Sequence, residues 1–127
     1  MNLNQVTLPS LDVEKATAFY KLLGLNLIVD ALPRYVRFEV PDGDATLSIH
    51  KVERLNNDNG IVIYFENERL DDLVDQLKAK DVIFTNEPEN KPYLWREASL
   101  KDPDGNMIIL YHAGKNRKNP PWRIKNQ

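Results

Sequence analysis

The sequence predicts an α+β fold in which two tandem βαβββ modules form a curved mixed sheet around a cavity. Three observations lead there. The order strand, amphipathic helix, then three strands occurs twice along the chain. The turn Pro41-Asp42-Gly43-Asp44 of the first copy is matched by Pro103-Asp104-Gly105-Asn106 in the second. The chain has 127 residues, 42% hydrophobic and 28% charged, which is one domain's worth of polypeptide able to bury a core. An internal repeat of this kind governs the whole fold assignment.

Each element follows from its residues. Residues 6–8 form a short alternating strand that Pro9 ends. Asp12 occupies a helix N-cap position with Glu14 in the first turn. Val13, Ala16, Phe19, Tyr20 and Leu23 then recur at spacings of three and four, one face of a helix that Gly24 stops. Residues 25–29 are a second strand. Residues 35–40 are a third, with Val36, Phe38 and Val40 alternating against Tyr35, Arg37 and Glu39. Residues 46–51 are a fourth.

The second copy begins after a polar linker at 56–60. Residues 61–65 read as a strand, and Leu70, Leu73, Val74 and Leu77 mark the second amphipathic helix. Residues 82–85 read as a strand, followed by a loop through Pro88 and Pro92. Residues 94–101 and 107–112 form the last two strands. The modules span about 3–55 and 58–114, in a single domain over 1–114. A basic tail over 115–127 carries Pro120-Pro121-Trp122.

Composition narrows the function classes. The chain lacks cysteine, which excludes disulfides and thiolate metal sites and fits a reducing cytoplasm. Residues 1–5 lack the pattern of a signal peptide, and no apolar stretch approaches the ~18 residues a membrane span needs. We therefore expect no membrane partner. The net charge of −2 gives no global reason to expect nucleic acid. The charge is uneven, however. Lys115, Arg117, Lys118, Arg123 and Lys125 lie in a tail without acids, leaving 12 of the 17 basic residues against all 19 acidic ones elsewhere, a net −7. Such a tail is expected to fold back on the body or on a partner copy. Trp122 and Ile124 are costly to leave in water, so a clasp and a terminus packed on its own surface both stay open.

The run Leu11-Asp12 to Phe19-Tyr20, then Leu22-Leu23-Gly24-Leu25, and near the end Asp102-Pro103-Asp104-Gly105-Asn106, resembles the vicinal oxygen chelate superfamily. This group includes glyoxalase I, extradiol dioxygenases, fosfomycin-resistance thiol transferases and bleomycin-resistance proteins. The resemblance covers nearly all of residues 3–114 and implies their fold. One fold hosts many chemistries, so it does not fix an activity. In the metal-dependent members four strands each supply a ligand. The resemblance puts Gln5, Ser48, Ile61 and Ile109 at those places. Two aliphatic side chains, an amide and a hydroxyl are not a ligand set for a divalent ion, so no metal and no other cofactor is expected. The bleomycin-resistance proteins, which bind ligand without metal, are the better match.

With those positions facing the cavity, strand alternation adds their neighbours. The expected lining is Gln5, Thr7, Ser48 and His50 from the first module. From the second come Ile61, Ile63, Phe65, Trp95, Glu97, Ser99, Ile109 and Tyr111. A bulge near Glu97 would instead turn Arg96 and Ala98 inward. His50 has a second reading as a strand-end residue bonded to backbone, Glu97 as half of an ion pair with Arg37 or Arg96, and Trp95 and Tyr111 as plain core aromatics.

The expected function is thus a metal-independent, homodimeric small-molecule-binding protein, one version of which sequesters a toxic or amphipathic compound. The alternative is a metal-free enzyme with His50 and Glu97 as catalytic acid and base. A third class is a structural dimer whose cavity has filled in.

Overall fold

The computed structural model describes residues 2–55 and 61–124. The linker expected over 56–60 and the basic residue Lys125 lie outside the described residues. In chain order the elements are β1 (Gln5–Ser10), α1 (Val13–Leu22), β2 (Asn26–Ala31), β3 (Tyr35–Glu39), β4 (Thr46–Lys51), β5 (Val62–Glu66), α2 (Leu70–Ala79), β6 (Asn86–Asn90), β7 (Arg96–Lys101) and β8 (Met107–His112). This is βαβββ twice, an α+β fold with two four-stranded mixed sheets. Their strand orders, β1-β4-β3-β2 and β5-β8-β7-β6, are the same arrangement repeated. The chain divides into two compact units, Met1–Ile61 with Asp102–Asn106, and Val62–Lys101 with Met107–Gln127.

In the first unit β1 runs parallel to β4, and β3 runs antiparallel to it. The first strand continues through Pro9 to Ser10, past the end expected from the sequence. An edge strand tolerates a residue without an N–H, and β1 is at the edge. Asp12 caps α1, its Oδ1 accepting from the Lys15 N–H at 3.1 Å. Gly24, at φ 101°, ends the helix in a conformation that a side chain would strain. Leu8, Val36, Phe38, Leu47 and Ile49 are buried on the sheet face toward Val13, Ala16 and Tyr20 of the helix.

The Asp102–Asn106 turn acts here as an anchor. The buried Tyr20 hydroxyl donates to Asp102 Oδ2 at 2.7 Å. The same oxygen accepts from Asn106 Nδ2 at 2.8 Å, and Oδ1 accepts from the Asp104 and Asn106 N–H groups at 2.9 and 2.8 Å. Asp104 Oδ1 accepts from the Leu11 N–H at 2.8 Å, just ahead of the helix cap. The motif that carried the family resemblance is thus a polar lock on α1.

In the second unit β5 runs parallel to β8, and β7 runs antiparallel to it. Leu70, Val74 and Leu77 of α2 are buried on the side of Ala98, Leu100, Ile108 and Leu110. The Arg96 guanidinium forks onto the Asp71 carboxylate at 2.9 and 3.0 Å, tying β7 to the start of α2.

Two expectations are corrected. Residues 82–85 do not form the sixth strand, which is Asn86–Asn90 and contains Pro88. It is an edge strand with a register shift between Asn86 and Glu89, the setting in which a proline fits a sheet. The second correction is the parity of β5. Its ladder pairs Ile63 with Ile108 and Phe65 with Leu110, so Ile63 and Phe65 point toward α2. Ile61 precedes the strand and is exposed. Val62, Tyr64 and Glu66 hold the opposite face, with Met107, Ile109 and Tyr111.

Candidate functional site

On the first sheet, the face away from α1 is polar, as alternation required. Gln5 pairs with Thr46, Thr7 with Ser48, and His50 with Tyr35 across the ladders, which puts all six on one face. The Gln5 carboxamide is already committed. Its Nε2 donates to Ser48 Oγ at 3.0 Å and Thr7 Oγ1 at 3.1 Å, and its Oε1 accepts from the Thr46 hydroxyl. Ser48, fully buried, also shares a 2.7 Å hydrogen bond with the Tyr35 hydroxyl, to which Arg37 Nε donates at 3.0 Å. The bond to Ser48, with help from Arg37 and against the effect of burial, holds the Tyr35 phenol below its ordinary range. His50 is exposed at the end of this row.

The second sheet carries a different surface on its face away from α2. The β7–β8 ladder is regular, pairing Glu97 with Tyr111 and Ser99 with Ile109. The bulge that would have turned Arg96 and Ala98 to this face is absent from that ladder. Trp95 stacks on Tyr111 with ring centroids 4.7 Å apart and planes 18° from parallel. Tyr64 presents an edge to both, at 5.9 and 5.5 Å, and Tyr93 packs on Trp95 at 5.9 Å. The turn that delivers Tyr93 and Trp95 holds Leu94 at φ 68°, a left-handed conformation unusual for leucine, closed by the Lys91 N–H to Trp95 carbonyl bond of 2.7 Å.

A pocket of about 240 Å³ opens beside this cluster, lined by Tyr64, Lys91, Glu97, Ser99, Met107 and Ile109 among others. Glu97 is 8% exposed there. Its expected partner Arg96 engages Asp71 instead, because the two residues lie on opposite faces of β7. Glu97 accepts from the Tyr93 phenol, and that hydrogen bond, then burial and the Glu97 charge, push Tyr93 up to about 12. Burial, then the charge of Glu66, also raises the Tyr111 phenol. Burial would raise the Glu66 carboxyl too, but the Ala113 and Gly114 N–H groups at 2.8 and 2.9 Å, with His112 and Arg117, hold it below its ordinary value. The tail leaves the sheet at this point, and the Asn116 carbonyl accepts from Trp95 Nε1 at 3.3 Å.

The structure therefore brings Trp95, Glu97, Ser99, Ile109 and Tyr111 together in one unit, and Gln5, Thr7, Ser48 and His50 on one face of the other. It removes Ile61, Ile63 and Phe65 from the first of these groups. Tyr64, Tyr93, Met107, Tyr35 and Arg37 were missed. Tyr64 was legible, since 62–66 alternates Ile63 and Phe65 against Tyr64 and Glu66. Tyr93 was not, because nothing in the residues announces a left-handed leucine after it.

The places a divalent ion would occupy do not fit one. Gln5 is spent on four neighbours, Ser48 on two, and Ile109 offers no donor. At the head of β5 both parities present an aliphatic group, Ile61 or Val62. Among the described residues no group of three or more His, Cys, Asp or Glu side chains could hold a metal. Among them, too, no helix is long and apolar enough to cross a membrane.

Duplicated βαβββ units define an α+β class shared with many solved structures. The family model described as Glyoxalase/Bleomycin resistance protein/Dioxygenase superfamily matches residues 2–110, and the chain belongs to that superfamily. A bleomycin-binding protein solved in complex with bleomycin is similar at TM-score 0.71 and 22% identity, covering 88% of this chain and 98% of its own. A glyoxalase/bleomycin resistance protein/dioxygenase family enzyme from Burkholderia phytofirmans matches at TM-score 0.74 and 19% identity, covering 89% and 99%. Lactoylglutathione lyase from Agrobacterium tumefaciens matches at 0.70 and 18%, covering 87% and 92%. At these identities the likeness is one of fold. No curated protein matches the chain.

Proposed function

We propose that this chain is a metal-independent small-molecule-binding protein, acting as a homodimer and sequestering an aromatic or amphipathic compound. The observation that carries the reading is the pocket of about 240 Å³ in the second unit, where Tyr64 of the aromatic cluster, Met107 and Ile109 form the wall beside two buried polar groups, Glu97 and Ser99. Apolar walls with a few placed polar groups are the usual make-up of a ligand site. A fold neighbour solved with bleomycin bound supports the same reading. On the first sheet, Gln5, Thr7, Ser48 and His50 are proposed as further ligand contacts. Trp122 and Ile124, 58% and 72% exposed, support a tail that reaches a second copy rather than its own body.

The test is a thermal-shift screen of flat aromatic compounds against the wild type and Ile109→Trp, with and without EDTA. A ligand at a hundred times its Kd is expected to stabilise the wild type by about 2.7 kcal/mol. The shift is expected to survive EDTA and to vanish in Ile109→Trp, whose indole fills the pocket. Shifts that need metal, or that Ile109→Trp keeps in full, would overturn the reading. Light scattering at tens of micromolar checks the dimer, and a monomer there would remove it.

A further inference from the structure

The second unit carries three carboxylates on the face away from α2, Glu66, Glu89 and Glu97, and their charges are met differently. Glu66 accepts two backbone N–H bonds and lies 3.9 Å from the Arg117 guanidinium. Glu97 is more deeply buried and lines the pocket, yet among the described residues of its unit no lysine or arginine pairs with it. Its partner is a neutral phenol, Tyr93. The other charged group on the pocket wall, Lys91, lies 3.7 Å from Glu89 and so has its own counter-charge. A carboxylate withdrawn from water without a cation is an expensive group to keep, and its cost falls when a cation arrives.

The rings around it favour the same visitor. Tyr64, on the pocket wall, joins Tyr93, Trp95 and Tyr111 in one continuous aromatic cluster. The π-faces of tyrosine and tryptophan attract cations, most strongly where water is excluded. A flat apolar ligand body would lie against Met107 and Ile109 on the pocket wall, with its charged nitrogen directed toward Glu97.

We propose that the pocket selects organic cations, flat aromatic compounds bearing a positively charged nitrogen, with Glu97 as the counter-ion and the tyrosine–tryptophan cluster as the second source of cation preference. This inference rests on the binding function proposed above and adds the ligand's charge class to it.

Three probes of matched shape and different charge test it by isothermal titration: N-methylquinolinium, quinoline and 2-naphthoate. The wild type is expected to bind N-methylquinolinium at least tenfold more tightly than quinoline, with 2-naphthoate weakest. Glu97→Gln, which keeps the side chain's shape, is expected to bring the cation to within about threefold of quinoline while quinoline binding is kept. If that variant does not fold, Glu97→Asp carries the test, since pulling the carboxylate back by one methylene should weaken the cation and spare quinoline. Equal or tighter binding of quinoline or 2-naphthoate by the wild type would overturn the cation class and leave the binding function standing. An undiminished cation preference in the Glu97 variant would overturn the role of Glu97. Failure of all three probes, together with no hit in the thermal-shift screen, would remove the binding function as well.

Discussion

Asp102→Ala is expected to lower the free energy of unfolding by on the order of 3 kcal/mol or more, the largest effect of any single side-chain change considered. The carboxylate accepts four hydrogen bonds, from the Tyr20 hydroxyl, the Asn106 amide and the Asp104 and Asn106 N–H groups. Asp102, Asn106 and Tyr20 are 5%, 3% and 0% exposed, so water cannot replace the lost acceptor without repacking. Tyr20→Phe removes one of the four bonds and is expected to cost less, about 1.5–3 kcal/mol. Urea unfolding followed by circular dichroism measures both, and a change below 1 kcal/mol for Asp102→Ala would contradict the lock.

The same contact sets an alkaline limit. Burial, then the Asp102 charge, raises the Tyr20 phenol far above its ordinary value of 10.0. Above pH ~10 the unfolded chain releases this proton and the folded chain keeps it. The stabilising contribution is therefore complete below that pH and declines as pH rises beyond it, by up to about 1.4 kcal/mol per pH unit. Tyr93 and Tyr111, also raised, titrate in the same direction. The difference between wild type and Tyr20→Phe isolates Tyr20: the two stabilities are expected to converge as pH rises above 10.

Trp95→Ala is expected to act on both stability and binding. Its ring stacks on Tyr111, receives edges from Tyr64 and Tyr93, and donates to the Asn116 carbonyl where the tail begins. A fully buried tryptophan costs about 3–5 kcal/mol on truncation, and this half-buried one is expected to cost about 2 kcal/mol. Binding of N-methylquinolinium is expected to fall at least tenfold, since aromatic anchors dominate binding sites of this kind. Trp122→Ala serves as the control. Its exposed ring is expected to change the unfolding of the isolated chain by less than about 0.5 kcal/mol.

The duplicated fold was legible because its signals are local. Asp12, Gly24 and the spacing of Val13, Ala16 and Tyr20 fix α1, and Asp102 to Asn106 fixes the last hairpin without reference to the rest of the chain. That hairpin also made Glu97, Ser99, Ile109 and Tyr111 readable as one face, since a regular antiparallel pair preserves alternation. β6 was not readable. Pro88 argues against a strand unless the strand is known to lie at an edge, and edge position is decided by pairing far along the chain. β5 was misread by one residue, and because side chains alternate, that single step exchanged Ile63 and Phe65 for Tyr64 and Glu66. The Tyr93–Trp95 turn depends on a strained backbone at Leu94, which leucine itself does not signal.

The most direct measurement is NMR of methyl and indole groups during titration with quinoline and N-methylquinolinium. Val62, Met107 and Ile109 line the pocket, and Trp95 packs against Tyr64, another lining residue, with its indole N–H as a reporter. Ile108 and Leu110 alternate with Ile109 on the same strand and point the other way. We expect saturable shifts at Val62, Met107, Ile109 and the Trp95 indole, and much smaller ones at Ile108 and Leu110. Shifts absent from the first group, or larger in the second, would contradict a ligand site on this face of the second sheet.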